Sequence, residues 1–239
     1  MTLALPQRLG LGGRELVSIV GAGGKSTLLF SLGRDLVAAG ARVILTTTTR
    51  VGANQPAEPI CWSAEPAAVE AALGHGLPVF VAAGRQPGKI VGPSPEAVDL
   101  LFSRTSAGYV IVEADGAAGM AIKAPAEHEP VIPSTSTTVV VVASVTAIGQ
   151  PIAAVAHRPE RVAALIGAHP ADRLTVQGVA AVLLHPRGGL KGIPEPARVV
   201  MLITNVTPAT EEPAAVLAEV LAAHPRVERA VTVASTAPA

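Results

Sequence analysis

Aromatic residues make up only 2% of this 239-residue chain, it has a single cysteine, and neither sign of charge is in excess. So few rings leave almost no platform on which the bases of single-stranded nucleic acid could stack. The one cysteine, Cys61, excludes an internal disulfide and a thiolate zinc cluster and fits a reducing compartment, the cytoplasm. Lys plus Arg and Asp plus Glu number 18 each, so no net field recruits nucleic acid or an anionic membrane. Charged residues are few, 15% against 49% apolar, a balance too hydrophobic for a disordered chain. Residues 1–14 lack the charged start and long apolar core of a signal peptide. The longest suspicious uncharged run, 138–156, is broken by Gly149, Gln150 and Pro151 and reads as buried strand and turn rather than a membrane span.

What is present is regular alternation. Short β-branched runs at 16–20, 42–46, 78–81, 109–113, 139–143, 198–203 and 230–233 predict strands, with a further extended piece after a turn within 84–91. Between them, 26–39, 65–73, 95–102, 158–166, 175–184 and 214–223 predict helices, the first closed by Gly40. Such βα alternation predicts one α/β domain over 1–239, a mostly parallel sheet with helices on both faces. The 23 Gly and 21 Pro lie between elements, and no repeat or linker is visible. The longest stretch without a clear element, 115–133, marks a candidate functional loop.

The strongest chemical signal is Leu16-Val-Ser-Ile-Val-Gly-Ala-Gly-Gly-Lys-Ser-Thr27, a strand running through glycines into a helix. Backbone N–H groups of Gly21, Ala22, Gly23, Gly24, Lys25, Ser26 and Thr27 are expected to cradle phosphate oxygens, which side chains would block. The helix start aims its unpaired N–H groups at the same anion. Lys25 adds charge for the β- and γ-phosphates, and the Ser26 hydroxyl is placed to join a Mg²⁺ shell. The loop is the short G-x-x-G-K-S form, because Ile19 stands where the usual pattern has its first glycine.

Glu113 and Asp115 close the strand at 109–113 and are expected to project together towards the metal, one as ligand and one orienting an attacking group. In open parallel sheets ligands bind at such carboxyl ends. The four threonines Thr46–Thr49 sit at another strand end, and Thr47 and Thr48 are candidates for phosphate contact. Lys123, Glu127, His128 and Glu129 form a second constellation suited to substrate holding, proton transfer or a second metal. His157 and Arg158 open a helix and could reach an anionic substrate, as could Arg161. The loop 186–192 is basic and glycine-rich and reads as a segment that closes over a site; His75, His169, His185 and His224 read as isolated surface residues.

In order, Gly-Ala-Gly-Gly-Lys-Ser-Thr (21–27), Thr-Thr-Thr-Thr (46–49), Glu-Ala-Asp-Gly (113–116), Lys-Ala-Pro-Ala-Glu-His-Glu-Pro (123–130) and His-Arg-Pro-Glu (157–160) form a set. That set resembles the selenium-dependent hydroxylase accessory proteins, the YqeC-like family, over roughly residues 16 to 205. The resemblance implies a P-loop NTPase-like fold and a nucleotide-binding role in maturing the molybdenum or selenium centre of a partner, an apo-molybdenum hydroxylase or its cofactor. Where relatives often carry an Asn-Lys-x-Asp-like run, this chain reads Thr204-Asn205-Val206-Thr207, with no carboxylate for a guanine base, so ATP with Mg²⁺ is the expected ligand. Cys61, beside Trp62 and without an adjacent cation, is not expected to carry selenium covalently. Two roles stay open: an ATP-dependent phosphotransferase, ligase or ATPase, and a non-catalytic nucleotide-dependent chaperone or scaffold that delivers a cofactor. Oligomeric state is open as well.

Overall fold

The computed structural model describes residues 4–74 and 76–235; His75 lies outside them. A short helix α1 (Leu5–Arg8) precedes the first strand β1 (Glu15–Gly21), which leads into helix α2 (Lys25–Ala38). Strand β2 (Val43–Thr47) follows, then the short strands β3 (Arg50–Gly52) and β4 (Ile60–Cys61) and helix α3 (Pro66–Ala72). Next come β5 (Val79–Val81), the hairpin strands β6 (Gly84–Gln86) and β7 (Lys89–Val91), helix α4 (Pro95–Arg104), β8 (Tyr109–Glu113) and β9 (Ile122–Lys123). The C-terminal half holds β10 (Thr138–Ser144), helix α5 (Ile152–Val155), β11 (Ala156–His157), helices α6 (Pro159–Ile166) and α7 (Val176–Leu184), β12 (Arg198–Val206), helix α8 (Glu211–Ala222) and β13 (Arg229–Ala234).

Eight strands form one sheet in the order β13-β12-β10-β1-β8-β2-β5-β4, and every pairing within it is parallel. Strand β10 shows why. Its seven residues Thr-Val-Val-Val-Val-Ala-Ser are all buried, which only a strand covered on both faces achieves. Val139, Val141 and Ala143 point to one face, where α3, α4, α6, α7 and α8 contribute Val69, Leu101, Val162, Val179 and Leu217. Val140 and Val142 point to the other, against Leu28, Leu29, Leu32 and Leu36 of α2. The period of two along the strand thus splits the apolar residues into two cores, one above and one below the sheet.

The predicted strands and helices appear within a few residues of their expected ends. The differences lie in short pairings that no local pattern announces. The 84–91 region is a full hairpin, and β7 pairs antiparallel with both β3 and β6 to make a separate small sheet. The stretch 115–133 is not wholly irregular, because β9 pairs with β11, setting Lys123 opposite His157. Helix α6 begins at Pro159, where proline's missing N–H costs nothing, and ends at Gly167 in the left-handed region. Among the described residues no helix is long and apolar enough to cross a membrane.

The carboxyl ends of β1, β8 and β10 lie side by side at the middle of the sheet. That edge is where the glycine loop emerges.

Candidate functional site

The loop between β1 and α2 requires glycine. Gly21, Gly23 and Gly24 have φ of 96°, 81° and 116°, a region that residues with a Cβ avoid. A Cβ on Gly23 would lie 2.6 Å from the Ser144 nitrogen. The backbone amides divide into two groups. Gly21 N–H donates to Asp115 Oδ2 at 3.1 Å and Ala22 N–H to the Val142 carbonyl at 2.9 Å, so these two face the protein. From Gly23 through Thr27, no N–H is engaged by a protein acceptor among the described residues. The expected phosphate cup over 21–26 is therefore displaced along the chain, with the free amides running over 23–27. They border a cavity of about 740 Å³.

Beneath the loop lies a buried chain of charges. Lys25 Nζ donates to the Gly21 carbonyl at 2.8 Å and sits 3.2 Å from Asp115 Oδ1 and 3.8 Å from Glu113 Oε1. Asp115 also pairs with Lys123 Nζ at 3.0 Å; its Oδ1, though close to Lys25, accepts no hydrogen bond. Lys123 Nζ donates to the Gly116 carbonyl at 2.6 Å and to Glu129 Oε2 at 2.8 Å. Arg158 closes the chain with a two-pronged grip on Glu129, at 2.8 and 3.0 Å. Arg158 holds this position with φ of 65°, an unfavourable conformation for a side chain of its size.

The carboxylates respond in opposite ways. Burial pushes Glu113 above its ordinary value, only partly opposed by the Lys25 charge and the Ser26 hydroxyl. Burial acts to raise Glu129 too, but hydrogen bonds from Arg158 and Lys123 outweigh it and bring its pKa to about 2. His157, lining the cavity, is lowered by burial and by the nearby cations Arg158 and Lys123.

The predicted pair Glu113 and Asp115 does not face one way. Strand β8 ends at Glu113, so the period of two is broken before Asp115. Glu113 turns to the cavity and accepts from Ser26 Oγ at 2.7 Å, while Asp115 turns under the loop. Thr47 and Thr48 give their hydroxyls to internal carbonyls, those of Glu113 at 2.7 Å and Val131 at 2.6 Å, and neither lines the cavity. The second constellation splits as well. Lys123 and Glu129 are buried in the charge chain, whereas Glu127 and His128 are exposed and away from the cavity. Arg158 is turned to Glu129 rather than to the cavity, and Arg161 donates to the Pro125 carbonyl at 3.5 Å. The loop 186–192 is docked rather than raised over the cavity: Lys191 Nζ donates to the carbonyls of Ala126 and Glu127.

Sequence reasoning missed the opposite wall. Arg50, Asn54, Gln55 and Lys89, from the small sheet and its following turn, line the same cavity, as does the turn Gly116–Gly119. Only the antiparallel pairing of β3 with β7 brings 50 and 89 together, and the usable signal was the Pro-Gly turn at 87–88 leading into the β-branched pair Ile90-Val91.

Ser26 and Glu113 are the side chains suited to a divalent cation: hard oxygen donors at the cavity edge. Among the described residues no three His, Cys, Asp or Glu side chains gather into a metal-binding group. A cation at Ser26 would complete its shell with phosphate oxygens and water.

A parallel sheet whose central strand passes through a glycine loop into a Lys-Ser helix start defines a P-loop NTPase-like α/β protein. The chain belongs to the YqeC family: its residues 17–160 match the family described as YqeC protein. It is 36% identical over 193 residues to a protein of Escherichia coli (strain K12) described as "Uncharacterized protein YqeC", covering 80% of this chain and 75% of that one. Among solved structures it is similar to the signal recognition particle 54 kDa protein of Aeropyrum pernix K1 in complex with GDP, with a TM-score of 0.44 and 17% identity. That likeness covers 93% of this chain and 42% of the other.

Proposed function

We propose that this chain binds ATP with Mg²⁺ at the Gly23–Thr27 arc and hydrolyses or transfers the γ-phosphate while a partner enzyme is matured. The observation that carries the reading is the run of five consecutive unengaged N–H groups at a helix start, opening on a large cavity with Lys25 at its base. Ser26 and Glu113 hold the metal. Asp115, Lys123 and Glu129 keep Lys25 and the loop in place. A smaller slot of about 170 Å³ beside Gly24 and Thr27, bordered by Leu28, Leu202, Asn205 and Val233, suits the nucleoside. Among the described residues no Asp or Glu borders that slot, which favours adenine over guanine. The family resemblance supplies the setting: cytoplasmic maturation of a selenium-dependent molybdenum hydroxylase, with the apo-enzyme or its cofactor as partner.

Calorimetry with ATP, GTP and CTP, with and without Mg²⁺, tests the binding. ATP with Mg²⁺ is expected to bind tightest; no heat with any nucleotide would refute the reading. Lys25→Ala is expected to lower turnover by about two orders of magnitude, as loss of one donor to developing charge commonly does. Turnover should rise when the apo-hydroxylase is added.

A further inference from the structure

We propose that the wall formed by β3, β7 and β6 is a binding site for a second small molecule, an oxyanion bearing phosphate or carboxylate, held by Arg50 and Lys89. The pleat of this small sheet sorts its residues. Val51 and Ile90, paired across the sheet, are buried against the α2 side of the core. Their neighbours Arg50 and Lys89 are therefore left on the opposite face, and both border the main cavity.

These cations differ from those under the phosphate loop. Most of the charges near the site are consumed in ion pairs, as in the run from Lys25 to Arg158. Among the described residues, Arg50 makes only a bond to the Gln86 amide at 3.3 Å, and neither it nor Lys89 has a carboxylate partner. Two uncompensated cations on one wall of a concave site attract an anion and raise its local concentration. Arg adds a planar, two-pronged fit to carboxylate or phosphate.

Position argues that this anion is not the nucleotide's own. The small sheet adjoins the phosphate loop at its metal side, where Gln55 Nε2 lies 3.4 Å from Ser26 Oγ. The nucleoside slot lies on the other flank of the loop, along β12 and β13. A nucleotide stretched from that slot over Gly24 ends near Ser26, and Arg50 and Lys89 stand beyond its last phosphate. This assignment rests on the proposed nucleotide site for what fills the rest of the cavity; the anion site itself is testable alone.

The test is a residue-resolved NMR titration of the full ¹⁵N-labelled chain with inorganic phosphate and, separately, citrate, before and after saturation with a non-hydrolysable ATP analogue and Mg²⁺. With the analogue bound, shifts are expected at residues 50–55 and 88–91 and not at 23–27. Arg50→Gln/Lys89→Gln should weaken that second event about tenfold or more, as expected for two charge-assisted bonds, and leave analogue affinity within about twofold. Arg85→Gln removes a charge from the other face of the same sheet, where it stacks on Trp62, and should change neither event. A response to phosphate alone or to citrate alone names the substrate class. No response at 50–55 and 88–91 to either anion overturns the proposal, as does a double variant that loses the analogue instead. If the analogue fails to bind the wild type but 50–55 and 88–91 still respond, the nucleotide reading falls and the anion site stands.

Discussion

The Ser26 hydroxyl donates to Glu113 Oε2 at 2.7 Å, joining the first turn of α2 to the end of β8. Among the described residues, this contact fixes the one carboxylate that both touches the loop and borders the cavity. Glu113→Gln keeps the shape and an oxygen acceptor but removes the charge a cation needs. Mg²⁺-dependent nucleotide affinity is expected to fall about 10- to 100-fold, the usual effect of damaging a metal's surroundings. The same variant should be more stable at neutral pH. Burial raises the Glu113 pKa, so ionisation at pH 7 costs the folded state more than the unfolded one. The gain in Tm should shrink as the pH falls towards the ordinary carboxylate range, where the wild-type group is already protonated.

Asp115 should behave in the opposite way. Its carboxylate lies between Lys25 and Lys123, both buried. Asp115→Asn leaves an acceptor for the Gly21 amide but removes the negative charge shared by two buried ammonium groups, leaving Lys25 with Glu113 at 3.8 Å and Lys123 with Glu129 at 2.8 Å. Breaking a buried pair on one side costs about 3–5 kcal/mol. Urea denaturation at pH 7 should show a loss of that size, and an unchanged midpoint would mean that Glu113 and Glu129 hold the two lysines without it.

Glu129 gives a pH signature. Its pKa near 2 lies below the unfolded value, so its contribution is complete above about pH 5 and disappears as the pH falls towards 2. A depression of that size corresponds to a contribution on the order of 3 kcal/mol. Glu129→Gln should therefore be destabilised at pH 7 and approach the wild type near pH 2. Denaturant midpoints measured across that range check both the sign and the window. A parallel offset at every pH would remove the ionised carboxylate from the explanation.

The loop glycines allow a comparison that separates space from backbone conformation. At Gly23 a Cβ would strike Ser144, whereas at Gly24 its nearest neighbour is Thr204 at 3.7 Å. Both positions have positive φ. Gly23→Ala is expected to displace the loop, abolish nucleotide binding and cost about 1–3 kcal/mol of stability, in the range of other overpacking changes. Gly24→Ala should weaken binding less, through backbone strain alone. Calorimetry and thermal melts of the two variants would distinguish them.

The main sheet and the phosphate loop were legible because their signals are local. A short run rich in β-branched residues, a glycine run and a Lys-Ser helix start each occupy a dozen residues or fewer. The roles of the polar residues were less legible, because they depend on partners far along the chain. Thr47 and Thr48 looked like ligands to phosphate, yet their hydroxyls satisfy the carbonyls of Glu113 and Val131. Lys123 and Glu129 were visible as a cluster, but their link to Lys25 and Arg158 needed Asp115 to turn inward and β9 to pair with β11. Arg50 and Lys89 were invisible as a pair. Thirty-nine positions separate them, and only a hairpin folding back on β3 sets them on one wall.

The buried charges from Lys25 to Arg158 have one more consequence. Three cations and three carboxylates offset one another there before any guest arrives. A triphosphate settling on the loop meets dipoles but little spare positive charge in the floor below. The guest best accommodated is one that travels with its own dication, so that the floor need not be rearranged to receive it.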